Sequence, residues 1–325
     1  MKLKPKRTKA TLTAMVLAAL FLATAFSGRV APAVASSNEH ARDVLVFISD
    51  TQAPAFLETL KLKTERNEEV TQRIFDRVLR EKDLAAVFLL GDLTRAASTD
   101  GNWRSVDRFL AGLKQEGIPS FAALGNHEHM WSSKKGLANV QKRFPELGPF
   151  YYSVVIGPAA VIILDSNFDE MTEAEQEAQL AFYRKALAEF DGDPKIRGVL
   201  VGCHQSPYTN SRIVSPGQQV QTDFVPPFLK SKKRLLFISG HAHAAEHFVV
   251  QGKDFLVEGG GGGLRHPVRL GPGRPYNDIF PLQTEKRPFH FLTIQLKEKE
   301  LVVTYQALLQ SLGVFEPVHR FSLAW

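Results

Sequence analysis

Apolar residues along this chain gather into short, nearly continuous runs rich in Val, Ile, Leu and Phe. The runs lie at 44–49, 86–90, 120–124, 152–156, 160–164, 199–203, 235–239, 247–250 and 255–257. A run that is apolar at every position has no solvent face, so each is read as a strand buried on both sides. Between the early runs the apolar spacing changes to the helical period of about 3.6 residues. Segment 68–80 places Val70, Ile74 and Val78 on one face, and segment 103–116 does the same with Val106, Leu110 and Leu113. Segment 172–190 opens with Thr172 and Glu175, the pattern of a capping box, and aligns Leu180, Tyr183, Leu187 and Phe190. Trp103, Phe109 and the many other phenylalanines belong to the core in this reading.

Alternating strands and helices in the first half argue for an α/β fold. From residue 235 onward strands dominate, including 289–296, 301–308 and 314–322. The sum is a strand-rich α/β domain in which two sheets can pack together. Segments 206–233 and 259–288 carry Pro, Gly and polar residues and are expected as long loops, a class often tied to function. No linker divides the chain after residue 35, so 36–325 is expected to form one domain.

The first 35 residues follow a different logic. A basic stretch (Lys2, Lys4, Lys6, Arg7, Lys9) precedes an uncharged apolar run at 11–26 and the small-residue triplet Ala33-Val34-Ala35. That order describes a secretory signal peptide, and the run is shorter than the roughly 20 residues that span a bilayer. The chain is therefore expected to be exported, periplasmic or secreted, with no stable membrane span once the leader is removed. Removal also changes the charge. The six basic residues of 1–35 account for the whole +6 of the precursor, since 40 basic residues face 34 acidic ones. The mature chain is formally neutral, which weighs against a nucleic-acid partner. Cys203 is the one cysteine and cannot form an internal disulfide; it closes an apolar run and is read as a buried strand residue.

Candidate chemistry sits where the strands end. Asp50-Thr51-Gln52, Gly91-Asp92, Gly125-Asn126-His127-Glu128, His204 and Gly240-His241-Ala242-His243 each follow an apolar run directly. Ligands of open α/β sheets bind beyond the carboxyl ends of the strands, so five such motifs converge on one place. Asp, Asn, Gln and His together offer oxygen and imidazole donors, which suit Mn, Fe, Zn or Mg, and no thiolate cluster is present. Two such cations held close together activate a water and clamp a phosphoryl group.

These five motifs, in this order, resemble the calcineurin-like metallophosphoesterases. The resemblance implies α/β architecture with two packed mixed β-sheets flanked by helices, a four-layer sandwich. It implies two divalent metal ions, the first held by Asp50, Gln52, Asp92 and His243, the second by Asp92, Asn126, His204 and His241. It implies that His127 stabilises the transition state and protonates the leaving oxygen, with Glu128 as its acidic companion. Two departures stand out. Many members carry His where Gln52 stands, and an amide oxygen is a harder, weaker donor than imidazole. Arg95 stands where purple acid phosphatases, a similar group, carry an iron-binding Tyr; its planar fork suits phosphate instead.

Other residues have competing readings. Asp165 and Asn167 follow the run 160–164 and either line the pocket or stabilise a turn. Arg265, after the five-glycine run 259–263, is a candidate substrate contact. The run itself is read as a tight connection near the metals. His247, His266, His290 and His319 are left as ordinary histidines. The expected function is metal-dependent hydrolysis of a phosphate-ester substrate, a monoester slightly favoured. The alternatives are a phosphodiesterase of the same fold and a non-catalytic metal-binding protein, which would not need His127.

Overall fold

The computed structural model describes residues 42–54, 59–60, 64–309 and 313–325. The leader expected at 1–35 lies outside the described residues. Among those described, twelve strands form two mixed sheets of six. The first sheet contains β1 (Val44–Ile48), β2 (Leu84–Leu89), β3 (Ser120–Ala122), β10 (Phe289–Leu296), β11 (Glu300–Leu309) and β12 (Val314–Ala324), in the order β12-β11-β10-β1-β2-β3. The second contains β4 (Tyr152–Ile156), β5 (Ala159–Ile163), β6 (Gly198–Cys203), β7 (Arg234–Ser239), β8 (Ala245–Val250) and β9 (Lys253–Glu258), in the order β4-β5-β6-β7-β9-β8. β1, β2 and β3 run parallel, as do β5, β6, β7 and β9; the remaining neighbouring pairs are antiparallel.

The continuous apolar runs are explained by two buried faces. In the second sheet Leu200, Leu236 and Ile238 point into the core shared with the first sheet, while Val199, Val201 and Phe237 point to the opposite side. That outer side is covered by helix α4 (Glu173–Gly192), through Tyr183, Leu187 and Phe190, and by α5 (Val225–Lys230), through Phe228. Helices α1 (Asn67–Val78) and α2 (Arg104–Gln115) pack in the shared core's cluster with the first sheet. Phe75 and Phe109 stack between those two helices at 4.1 Å. Phe47, Phe88 and Phe121 form a stacked ladder across β1, β2 and β3, 4.8 and 5.1 Å apart. The four-layer arrangement is thus helices, sheet, sheet, helices. Thr172 and Glu175 do form the capping box of α4, with Thr172 N–H donating to Glu175 Oε2 at 2.8 Å.

Two segments differ from the sequence reading. Segment 206–233, read as a loop, contains a π-turn at Val220–Phe224 that runs into α5. Pro226 and Pro227 lie in the first turn of α5, where a missing N–H costs no helical bond. Helix α3 (Ser133–Arg143) has no counterpart in the sequence reading, because only Gly136 and Val140 of it are buried. Within segment 259–288 only a short 3₁₀ turn and isolated bridges form, in keeping with a loop.

Candidate metal centre

The parallel strands of both sheets end on one side of the sandwich, and the polar motifs occupy those ends. Three of their residues take left-handed backbone: Asp50 at φ 59°, Asp92 at 52° and His241 at 65°. Side-chain-bearing residues rarely adopt this region, and Asp and His are among those that tolerate it. Such conformations persist where the surroundings over-determine them, and they cluster at functional sites. Gly91, at φ 90°, lets two of the turns touch: a Cβ there would lie 2.6 Å from the Gly125 nitrogen. A Cβ on Gly259 would lie 2.7 Å from the His243 nitrogen, so the glycine run does pass close against the site.

The structure brings all seven candidate ligands together. Two groups, Asp50/Asp92/His243 and Asp92/His204/His241, each have ligand atoms within 4.8 Å of one another. Asp92 belongs to both, so its carboxylate stands between them. Asp50 Oδ1 lies 3.2 Å from His243 Nε2, and Asp92 Oδ2 lies 3.4 Å from His204 Nε2. Asn126 Oδ1 and His241 Nδ1 approach His204 Nε2 at 3.3 and 3.2 Å. Gln52 Nε2 sits 3.3 Å from Asp92 Oδ2 and 3.1 Å from His243 Nε2.

Backbone carbonyls set the tautomers. His204 Nδ1 is 2.9 Å from the Leu90 carbonyl and His243 Nδ1 is 2.8 Å from that of Leu264. A carbonyl only accepts, so each Nδ1 carries the proton and each Nε2 turns inward as a donor to a cation. His266 stacks on His243 at 4.2 Å and braces that ring. Burial, helped by His243, holds His266 well below the usual histidine range, so it packs as a neutral ring.

His127 stands at the rim of the group. Its main-chain N–H donates to Asp92 Oδ1 at 2.8 Å, its Nδ1 donates to the Arg95 carbonyl at 2.7 Å, and its Nε2 lies 3.8 Å from Asp92 Oδ2. Glu128 is fully buried and does not face the ligand groups as an extra acid. Its carboxylate accepts from the main-chain N–H of Asp92 at 2.8 Å, Leu93 at 3.0 Å and Gly125 at 2.7 Å. Glu128 therefore staples the Asp92 turn to the Asn126 turn, a role that no local pattern in the sequence discloses.

The electrostatics fit a cation site. Burial pushes Asp92 upward, but His204 and His127 outweigh it and hold the carboxyl far below the usual range. Burial likewise opposes ionisation of Asp50, and His243 reverses that effect. Burial depresses His204, yet Asp92 lifts it to about 10. Burial and neighbouring His204 lower His241 to about 4. Burial and Asp92 raise Glu128 to about 7. Asp50 Oδ1 and Gln52 Oε1 are buried with no hydrogen-bond partner in the protein. Buried polar atoms without partners are costly, and divalent cations would satisfy both. The donor set of carboxylate, amide and imidazole therefore suits two divalent cations.

The remaining candidates fall outside the ligand groups. Asp165 Oδ1 accepts from the main-chain N–H and side-chain amide of Asn167 at 2.9 and 2.8 Å, which is a side-chain-stabilised turn. Asn167 also donates to the Leu124 carbonyl at 3.0 Å. Arg265 gives its guanidinium to Glu65 and to the Arg287 carbonyl, and lies over the Phe289 ring. A phosphate would have to displace those partners. Arg95 is exposed, and no ion pair or hydrogen bond engages its guanidinium among the described residues. His129, not singled out in the sequence, is half-buried, and its two ring nitrogens are buried with no hydrogen-bond partner; Nδ1 lies 3.4 Å from Glu170 Oε2. Its place directly after Glu128 was the one available signal.

Comparison with known proteins agrees with this geometry. The family model for calcineurin-like phosphoesterases matches residues 44–245, more than half of the chain. The chain belongs to the calcineurin-like phosphoesterase family. It is a metallophosphoesterase, a metal-dependent hydrolase of phosphate esters. Its fold is similar to that of GAP50, the anchor in the inner membrane complex of Plasmodium, at 12% identity and TM-score 0.62, covering 86% of this chain and 88% of that one. It is also similar to a dimetal phosphatase from Danio rerio, at 15% identity and TM-score 0.55, covering 86% of this chain and 99% of that one. No curated protein matches the chain in sequence.

Proposed function

We propose that this protein is an exported phosphomonoesterase. Asp50, Gln52, Asp92 and His243 would hold one divalent cation, and Asp92, Asn126, His204 and His241 the other. When bound, such a pair lowers the pKa of a water and neutralises phosphoryl oxygens. The observation that carries a catalytic reading, rather than mere metal storage, is His127. Its Nδ1 is committed to the Arg95 carbonyl, which leaves Nε2 beside the shared Asp92. As a water oxygen bonds to phosphorus and the bond from phosphorus to the ester oxygen breaks, His127 would give a proton from Nε2 to that oxygen, leaving an alcohol and phosphate.

The monoester preference rests on Arg95. A monoester dianion demands more positive charge than a diester, and the Arg95 guanidinium is free, on the residue whose own carbonyl orients His127. Asp165, Asn167 and Arg265 are less suited to substrate contact, because their polar atoms already serve one another or Glu65. The export part rests on the basic, apolar and small-residue order of 1–35. Comparing nitrophenyl phosphate with bis(nitrophenyl) phosphate in the presence of Mn²⁺ tests the ester class. Faster turnover of the monoester supports this reading, and faster turnover of the diester replaces it with a phosphodiesterase.

A further inference from the structure

A cleft of about 540 Å³ opens between the loops that follow β1 and β2 and the flanking helices α1 and α2. Its wall includes Thr51, which lies between the candidate ligands Asp50 and Gln52, and Leu93, Thr94 and Arg95, which follow Asp92. Also lining it are α1, through Glu68 and Gln72, the 3₁₀ turn Asp100–Trp103, through Asn102, and the first turn of α2, through Arg104 and Ser105. This volume is in the range of small-molecule sites.

The charges of the cleft are unequal. Arg95, Arg104 and Arg108 line it together with Glu68 and Glu69. Glu69 is already neutralised by Arg66 and by Arg73, the latter at 2.9 Å. Arg108 is tied to Gln72 at 3.2 Å. Arg95 and Arg104 are exposed and have no ion pair or hydrogen bond to their side chains among the described residues. The 3₁₀ turn Asp100–Trp103 leads straight into α2, so the positive end of that helix also opens here. Thr94 is 2% exposed, lines the cleft, and its Oγ1 is buried without a partner. An unpartnered buried hydroxyl and two free guanidiniums on residues lining one cleft are what a bound anion would satisfy.

We infer that this cleft binds a phosphate or carboxylate group, held by Arg104 and the Thr94 hydroxyl, with Arg95 kept for the phosphoryl group that is hydrolysed. The Arg95 carbonyl orients His127, so the cleft lies beside the reacting centre. The group that fits this position is a second anion on the substrate itself, as in a sugar bisphosphate. Assignment to substrate rests on the phosphoesterase reading, whereas anion binding does not; a free anion from solution offers the same chemistry.

Two measurements on the protein separate these. In calorimetry with chelator present, the metal centre holds no phosphate, so a hexose bisphosphate and inorganic phosphate each report on the cleft. We expect binding of both probes that weakens about tenfold in Arg104→Ala and partly recovers in Arg104→Lys. In Mn²⁺-loaded protein, the ratio of kcat/KM for the bisphosphate over the matching monophosphate should fall about tenfold in the same variant. Chelator-resistant binding that Arg104→Ala weakens, with an unchanged kcat/KM ratio, assigns the cleft to a free anion. The same binding without turnover of either sugar phosphate keeps the anion site and overturns its assignment to a sugar bisphosphate substrate. Binding equal in wild type and Arg104→Ala, or none in either, overturns the inference.

Discussion

His127 donates its Nδ1 proton to the Arg95 carbonyl at 2.7 Å while its Nε2 lies 3.8 Å from Asp92 Oδ2. This single contact separates the ring's two jobs, because orientation falls to one nitrogen and proton transfer to the other. His127→Ala should lower kcat for nitrophenyl phosphate by about a hundred- to ten-thousand-fold. Metal content, read by elemental analysis, should stay as in the wild type. Loss of metal together with activity would instead make His127 a ligand.

Glu128 should behave as a structural brace. It accepts three main-chain N–H bonds, and Glu128→Gln leaves an amide NH₂ facing donors. The expected cost is about 1–3 kcal/mol, read as a lower melting temperature in the presence of chelator. A variant that melts like the wild type but turns over slowly would move Glu128 into the chemistry.

Gln52 tests the first of the two ligand groups. Its amide lies within 3.3 Å of Asp92 and 3.1 Å of His243, and its oxygen has no partner. Gln52→Ala should therefore cost one equivalent of bound cation per chain, while Gln52→His should keep it and bind it more tightly. Equal metal content in Gln52→Ala and wild type would remove Gln52 from the ligand set.

Glu246 provides a pH signature away from the cations. Burial raises its carboxyl from 4.5 to about 7, against the lowering effect of Thr209 and Asn210. A folded pKa above the unfolded one means that the stabilising contribution is complete below pH 4.5 and is lost as pH rises through about 7. Glu246→Gln cannot ionise, so its melting temperature relative to wild type should improve between pH 5 and pH 8. A constant difference across that interval would show that Glu246 does not titrate there.

Much of the fold was legible because strands covered on both faces need apolar residues at every position. Val199, Leu200 and Val201 alternate between the two sides of the second sheet, yet all three had to be apolar. Helix α3 was not legible, since a helix that buries only Gly136 and Val140 carries almost no periodic signal. Helix α5 was hidden by Pro226 and Pro227, which mark a loop unless they fall in a first turn. At the site, candidate ligands announce themselves by type and by position after a strand, as Asp50, Asp92, His204 and His241 do. Residues that act through distant partners do not. The stacking of His266 on His243 and the pairing of Arg265 with Glu65, 200 positions away, depend on the folded chain alone.

The most direct test of the central claim is nitrophenyl phosphate release by the folded protein with Mn²⁺ and with chelator, measured beside Asp92→Asn. Because Asp92 belongs to both ligand groups, turnover should require the cation, vanish with chelator, and fall to background in Asp92→Asn along with metal binding. Turnover that persists in chelator, or that Asp92→Asn leaves intact, would contradict a reaction carried out at this centre.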